Sequence, residues 1–283
     1  MGCRPMSQPK GPKLNKTILI TGSSSGIGRA TAILFQQRGW NVIATMRSPD
    51  KETSLGALEN VLVTGLDVTE PPSIEPAISA GIARFRRIDV LLNNAGFGAY
   101  GPLEATPLES IRRAFETNIL GALATTKAVL PHFRTNGQGV IVNISSIGGR
   151  FAYPLGALYH GTKFAVEGAS EALTFEAAAI GVRVKIIEPG MVATGFGEAL
   201  DFSNDDRLTE YRDMAGKLMA GFQAAQKGAS APEAVAEVVY EAATDGTDRL
   251  RYAVGEEAKV MLAARAGQDD ATFLEGIRRQ FKL

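Results

Sequence analysis

Seven short apolar runs, separated by stretches of helical spacing, constrain this chain more than any other feature. They are Ile18-Leu19-Ile20, Val42-Ile43-Ala44, Val61-Leu62-Val63, Val90-Leu91-Leu92, Val140-Ile141-Val142, the segment 182–187 and Tyr252-Ala253-Val254. A strand that is apolar along its length is buried on both faces, which is the habit of parallel sheets. Parallel neighbours need a crossover, and the intervening segments supply it. Ile27, Ala30, Ile33 and Leu34 share one face of a helix that runs to Arg38, with Gly39 as its stop. Further helices are expected from Pro71 to Phe85, from about Leu108 to Phe133 and from about Ala157 to Ala179. The expected fold class is α/β, one doubly wound domain with a seven-stranded parallel sheet.

No linker or internal repeat interrupts the pattern. An apolar fraction of 45% over 283 residues suffices for a substantial core. Residues 1–15, rich in Pro and Lys, are expected to be a disordered leader ahead of a domain spanning 16–283. The alternation lapses at 195–230, where Gly195, Gly197 and the acidic stretch 201–206 precede two weak helices. This excursion follows a late strand at the carboxyl edge of the sheet, where a substrate lid would lie. A surface excursion with no role is the plain alternative. From Lys259 to Leu283 the spacing predicts an amphipathic helix that closes a pocket, docks a neighbour or covers the core.

Composition excludes several classes. A formal net charge of zero argues against a nucleic-acid binder, and the short cluster Arg84, Arg86, Arg87 reads as a solvated helix end. Cys3 is the single cysteine, and His132 and His160 are the two histidines, so neither an internal disulfide nor a metal site is expected. No apolar run approaches the roughly 18 residues of a membrane span. The N-terminus lacks a signal peptide's apolar core, and a cytoplasmic location is the default expectation.

Two regions carry chemistry. The first is Thr21-Gly22-Ser23-Ser24-Ser25-Gly26-Ile27-Gly28, between the first strand and the first helix. Unpaired N–H groups and a partial positive charge at a helix start suit a diphosphate, and glycines let the backbone come close to it. The spacing differs from G-x-G-x-x-G, so its position between strand and helix carries the argument. Many NAD sites place an acid at the end of the second strand, on the ribose diol. Here that end reads Ala44-Thr45-Met46-Arg47, which offers an arginine fork for a 2′-phosphate and favours NADP(H) over NAD(H). Asp67-Val68 follows the third strand and offers an acceptor to an adenine amino group. Asn94, Ala95 and Gly96 follow the fourth, close to the same ligand.

The second region holds Tyr159 and Lys163, four residues apart and so neighbours on one helical face, with Ser146 thirteen residues upstream at a strand end. Hydride transfer to a carbonyl needs a proton donor, a cation to tune it and a neutral donor on the substrate oxygen. These three side chains are of the required types. His160 lies about 100° around the helix from Tyr159 and reads as a neighbour rather than a proton carrier. His132 falls near a helix end and needs no catalytic explanation.

Together these motifs resemble the short-chain dehydrogenase/reductase family, over about residues 16–255: TGSSSGIG, Asp67-Val68, NNAG, Asn118, Ser146, YHGTK and Pro189-Gly190 occur in family order. Within it the chain looks most like the branch acting on steroids, retinoids and other apolar carbonyls. The resemblance implies a Rossmann-like sheet. It implies Tyr159 as acid in reduction and base in oxidation, Ser146 on the substrate oxygen and Lys163 on the nicotinamide ribose, lowering the tyrosine pKa. It implies Asn118 in a water-linked proton relay and Thr194 near the nicotinamide amide. Gly22, Ser24, Ser25, Gly26, Ile27, Gly28, Asn94, Ala95, Gly96, Pro189, Gly190 and Val192 complete the implied cofactor set. Gly161-Thr162 stands where relatives commonly have Ala-Ser, without loss of a functional group. A homodimer or homotetramer joined through the two long helices is also implied.

Ionising a tyrosine near pH 7 requires roughly 4 kcal/mol. One ammonium at about 4 Å supplies that amount at an effective dielectric of about 20. The aromatic residues Phe97, Tyr100, Phe151, Tyr153, Phe196 and Phe202 are expected near strand ends or in the lid. They either line an apolar substrate pocket or pack the loops themselves. A catalytically silent NADP(H)-sensing protein is the alternative from another class, though it would ordinarily lose the tyrosine or the lysine. A sugar-nucleotide epimerase shares the Tyr-x-x-x-Lys pair but has a larger carboxyl-terminal domain.

Overall fold

All seven expected strands form, and all pair in parallel within one sheet. The structure, a computed structural model, describes residues 14–194 and 200–283. In chain order the strands are β1 (Thr17–Ile20), β2 (Asn41–Met46), β3 (Val61–Gly65), β4 (Val90–Asn93), the two-residue β5 (Ala99–Tyr100), β6 (Gly139–Ile144), β7 (Val182–Pro189), the two-residue β8 (Asp201–Phe202) and β9 (Arg251–Val254). The helices are α1 (Gly26–Gln37), α2 (Ile74–Phe85), α3 (Leu108–Phe115), α4 (Gly121–Asn136), α5 (Ala157–Ala178), α6 (Arg212–Ala225), α7 (Pro232–Thr244), α8 (Glu256–Gly267) and α9 (Asp270–Phe281).

The sheet order is β3-β2-β1-β4-β6-β7-β9. The chain works outward from β1 to β3, then crosses back to β4 on the other side of β1. That reversal opens a crevice at the carboxyl ends of β1 and β4, where ligands bind in open α/β sheets. Successive side chains of a strand point to opposite faces. Ile18 and Ile20 accordingly join a core with Phe35 of α1 and Val235 and Val239 of α7, whereas Leu19 joins one with Ile78 of α2, Phe133 of α4 and Ala177 of α5. Both faces are covered, as uniformly apolar strands require. β3 is half-buried, in keeping with its place at the edge.

Two helix expectations need correction. The pattern from Leu108 to Phe133 is not one continuous helix: a π-helical turn at Glu116–Leu120 separates α3 from α4. Asn118 sits in that turn and bonds both backbone groups of Phe97, accepting from its N–H at 3.0 Å and donating to its carbonyl at 2.9 Å. The wider turn accommodates this inward side chain. The carboxyl-terminal segment is not one helix either. α8 stops at Gly267, Gln268 is extended, and Asp269 caps α9 by accepting from Thr272 N at 2.7 Å.

Phe273, Ile277 and Phe281 repeat every four residues along α9 and enter a third core with Leu218 of α6, Tyr100 and Phe151. Tyr153, Tyr159, Phe202 and Phe222 pack against its edge. Of the alternatives for this segment, α9 covers the apolar cluster above the carboxyl ends of the strands. In the excursion, residues 195–199, with Gly195, Phe196 and Gly197, lie outside the described residues, as does the expected leader up to residue 13. The remainder holds one α-helix, α6, rather than two. β8 pairs with β5: Asp201 N donates to Gly98 O and Ser203 N to Tyr100 O, each at 2.9 Å. No helix among the described residues is long and apolar enough to cross a membrane.

The last strand is held by a buried cation. Lys185 of β7 is 1% exposed, and its Nζ donates to Thr247 O (2.6 Å), Arg249 O (2.9 Å), Tyr252 Oη (2.9 Å) and Asp245 Oδ1 (3.3 Å). The whole turn from α7 into β9 is thus organised around one ammonium. Replacing Lys185 by Met strands two carbonyls and a carboxylate, and is expected to cost roughly 3 kcal/mol. Urea unfolding of Lys185→Met should show the loss as a lower midpoint; an unchanged midpoint would remove this lysine from the account of β9.

Candidate active site

The glycine-rich turn leaves β1 and enters α1 with two residues in the left-handed region, Gly22 (φ +70°) and Gly26 (φ +53°). Gly28 serves packing: a Cβ there would lie 2.3 Å from Gly22 O and 2.5 Å from Asn94 Nδ2. Ser24 and Ser25 are exposed, Ile27 is half-buried, and Ser25 at the N-cap makes no side-chain cap bond. The first-turn amides of a twelve-residue helix are therefore not consumed by a side chain, and the turn fits a dinucleotide's diphosphate.

Asn94 braces this turn. Its Nδ2 donates to Thr21 O (2.9 Å) and Gly22 O (3.0 Å), while the backbone N–H groups of Asn94 and Ala95 donate to Thr21 Oγ1. Gly96 lies against Asn118 Oδ1. Asp67 Oδ1 accepts from the Thr69 N–H and hydroxyl, and Val68 packs beneath Gly121 at the start of α4. On the far side of the crevice, Gly190 N bonds Val254 O, and Val192 bridges to Ser230. Thr194 closes over α1, its Cγ2 3.2 Å from where a Gly26 Cβ would stand. Pro189 is buried at the end of β7. The loop after β4 and Thr194 thus meet the glycine-rich turn at the start of α1.

Arg47 is exposed just past β2 and makes no ion pair with a described residue. A carboxylate that the strand-end reading did not consider lies further along the same loop: Glu52. It accepts from Leu55 N (2.8 Å), from Ser54 and from Arg29 (2.7 Å), contacts that hold its carboxyl down to about 2. Both its oxygens are engaged.

Ser146, Tyr159 and Lys163 converge. Ser146 is extended at the end of β6; its Oγ accepts from Gly148 N at 3.0 Å and donates toward Pro189 O at 3.4 Å, and the hydroxyl acts on the Tyr159 phenol. Ser145 faces the other way, its buried hydroxyl against Gly149 and without a hydrogen-bond partner. Lys163, one turn below Tyr159 on α5, is 8% exposed, donates to Ile144 O at 2.9 Å and stands 5.8 Å from the tyrosine ring centroid. Asn118 is spent on Phe97 and, through Nδ2, on Thr162 Oγ1 at 3.1 Å. Thr162 in turn donates to Tyr159 O at 2.8 Å. The Gly-Thr variation before the lysine therefore ties the tyrosine's turn to the π-helical turn, a role that nothing in the sequence announced.

The electrostatics differ from expectation in one respect. Burial raises the Tyr159 pKa above its ordinary value, with the Ser146 hydrogen bond opposing, so in the protein alone the phenol stays protonated. Burial likewise lowers Lys163 to about 8, countered by the charge of Glu167 one turn on. Desolvation is the largest influence on the phenol, and it outweighs the attraction that the ammonium was expected to supply. Glu167 is itself buried and paired with Arg251 at 2.9 Å. Arg251 also reaches Glu171, and Arg150 pairs with the buried Glu188.

Of the expected aromatics, Tyr100, Phe151, Tyr153 and Phe202 fall in one cluster with Tyr159, whereas Phe97 packs with Ala99, Ala114 and Leu158. Tyr100 lies over Tyr159, ring centroids 5.5 Å apart, and Phe222 of α6 stands edge-on to Tyr100 at 5.2 Å. Phe222 and the α9 phenylalanines were not among the expected wall residues, because nothing local in sequence marks which distant helix covers a site. His132 sits in the last turns of α4, accepting from Ile88 N at 3.0 Å, remote from this cluster.

The short chain dehydrogenase family profile matches residues 16–204. An uncharacterized oxidoreductase of Schizosaccharomyces pombe is 48% identical over 238 residues, covering 84% of this chain and all of that protein. A 3-ketodihydrosphingosine reductase of Bacteroides thetaiotaomicron is 40% identical over 186 residues, covering 66% of this chain and 67% of its own. The solved structure of ElxO with NADP bound superposes with a TM-score of 0.73 at 27% identity, covering 87% of this chain and 100% of that one. With this sheet, this crevice and these matches, the chain belongs to the short-chain dehydrogenase/reductase family and is an oxidoreductase acting on CH–OH groups with a nicotinamide cofactor.

Proposed function

We propose that the chain interconverts an apolar ketone or aldehyde and the corresponding alcohol with NADP(H), Tyr159 serving as acid in reduction and base in oxidation. The observation that carries this reading is the convergence of Tyr159 with the buried Lys163 and Ser146 beside a cluster of aromatic rings, with the Ser146 hydroxyl acting on the Tyr159 phenol. A carbonyl oxygen placed between those hydroxyls receives two hydrogen bonds, and the Tyr159 proton passes to it as charge develops. Bound NADP(H) supplies or accepts the hydride. Residues 22–28 would receive its diphosphate and Arg47 its 2′-phosphate. The second carboxylate oxygen of Asp67, with Val68, would meet the adenine. Asn94–Gly96, Pro189, Gly190, Val192, Thr194 and Lys163 would surround the nicotinamide half.

Since the Asn118 carboxamide is consumed by Phe97 and Thr162, its part in any water-linked relay falls to the main chain of the π-helical turn. The engagement of both Glu52 oxygens supports NADP(H), because that carboxylate is already taken up by Arg29, Ser54 and Leu55. The rings of Tyr100, Phe151 and Phe222 support an apolar substrate, as does the name of the Bacteroides relative. Exposed Leu120 and Leu123 near the start of α4, and Phe164 and Phe175 on α5, support a homodimer formed across those helices.

Tyr159→Phe removes the transferable proton alone. Turnover should fall by on the order of 10²–10⁴ while NADPH binding, followed by nicotinamide fluorescence, is retained; a variant as active as the parent would end the mechanism. Arg47→Asp should raise the Michaelis constant for NADPH far more than that for NADH, and equal effects would remove the phosphate role. Reduction requires charged Lys163 and protonated Tyr159. Because Lys163 is held down to about 8, kcat/KM for reduction should decline as pH rises past about 8. Glu167→Gln removes the charge that opposes this lowering and should move the decline to lower pH; a profile flat to pH 10 would contradict the assignment.

A further inference from the structure

We infer that His160 is a positioning residue: held as a single tautomer between Gly148 and Tyr153, its imidazole sets both the Ser146 hydroxyl and the Tyr100 wall against Tyr159. The inference rests on the reading of Ser146 and Tyr159 as the reacting pair.

His160 is 3% exposed. Its Nδ1 lies 2.8 Å from Gly148 O, and its Nε2 lies 2.9 Å from Tyr153 N. A carbonyl can only accept and an amide N–H can only donate. Two main-chain groups therefore dictate the proton's place: Nδ1 carries it and Nε2 does not. A second proton would set the imidazole against the Tyr153 N–H, and burial also lowers this histidine to about 4. It is a clamp with fixed polarity, not a proton carrier.

The two ends of the clamp serve different parts of the site. At one end Gly148 accepts from Nδ1 through its carbonyl and donates through its N–H to Ser146 Oγ at 3.0 Å. The turn that aims the serine is thus anchored on His160. At the other end Nε2 is 3.3 Å from Tyr100 Oη, and Tyr100 lies over the Tyr159 ring. Tyr153, fixed through its N–H, leans on Phe281 of α9 at 5.4 Å. Two glycines make room for the ring. A Cβ at Gly148 would lie 2.8 Å from Nδ1, and one at Gly156 would lie 2.4 Å from Cδ2 and 2.7 Å from Tyr100 Cε1. A histidine that merely filled the core would need neither bond to a particular partner nor both glycines.

The clamp can be divided. His160→Asn keeps an amide donor near the Nδ1 position, and His160→Gln keeps a polar group near the Nε2 position. In steady-state kinetics with NADPH and an apolar ketone, His160→Asn should hold kcat while raising the ketone KM about tenfold, and His160→Gln should hold KM while lowering kcat about tenfold, the effect of one lost hydrogen bond. Neither should alter the Michaelis constant for NADPH. Equal losses in both variants that follow only a lowered melting temperature would reduce His160 to a core residue. ¹⁵N NMR of the parent protein is the independent measurement: the proton should reside on Nδ1 between pH 5 and pH 8. A proton on Nε2 would overturn the clamp whatever the variants do. If Tyr159→Phe proved active while the tautomer was as stated, the mechanism would fail and the clamp geometry would stand.

Discussion

Asn94 and Thr21 join the two strands between which the sheet reverses its winding, and the site is built outward from that junction. A parallel sheet leaves backbone groups unpaired at its carboxyl end, and the reversal between β1 and β4 opens a crevice there. Buried amides and carbonyls must find partners. Here Asn94 satisfies the carbonyls of Thr21 and Gly22, and the Thr21 hydroxyl accepts two amides from the β4 loop. This bracing fixes the start of α1 relative to the loop that carries Gly96. Asn118 then ties that loop to α5 through Phe97 and Thr162. The glycine-rich turn and α5 are connected by a chain of bonds from short side chains, with no long side chain in it.

The electrostatics of Tyr159 and Lys163 take their character from the same enclosure. Both groups are held neutral-leaning by burial, so the protein alone stores an uncharged acid and a cation of weakened basicity. Desolvation and attraction oppose each other here, and for the buried phenol the first prevails. Glu167 offsets part of the cost for Lys163, and Arg251 holds Glu167 in turn. The tuning of the reacting groups therefore extends through α5 to the first residue of β9.

The sheet was legible because each strand carries its burial in its own composition. All seven strands, the glycine turn and the Ser-Tyr-Lys set could be located without reference to anything distant. What could not be read depends on contacts between remote segments. The π-helical turn follows from Asn118 reaching Phe97, and the break at Gln268 follows from a cap at Asp269 within an otherwise helical pattern. The rings around Tyr159 come from β5, the loop after β6, α6 and α9, which no periodicity relates. The lysine was expected to lower the tyrosine pKa, because a sequence supplies the charge but not the desolvation that opposes it.

The pairing of β5 with β8 couples the segment before α6 to Tyr159 through Tyr100. Its two hydrogen bonds fall on Gly98 O and on Tyr100 O, and Gly101 lies so close to Ser203 that a Cβ there would stand 2.1 Å from Ser203 O. Tyr100 also carries Phe222 on one side and Tyr159 on the other. Any outward motion of residues 201–225 must first unzip this two-residue strand and release the ring that lies over Tyr159. The position of residues 201–225 and the orientation of the ring over Tyr159 thus share one degree of freedom.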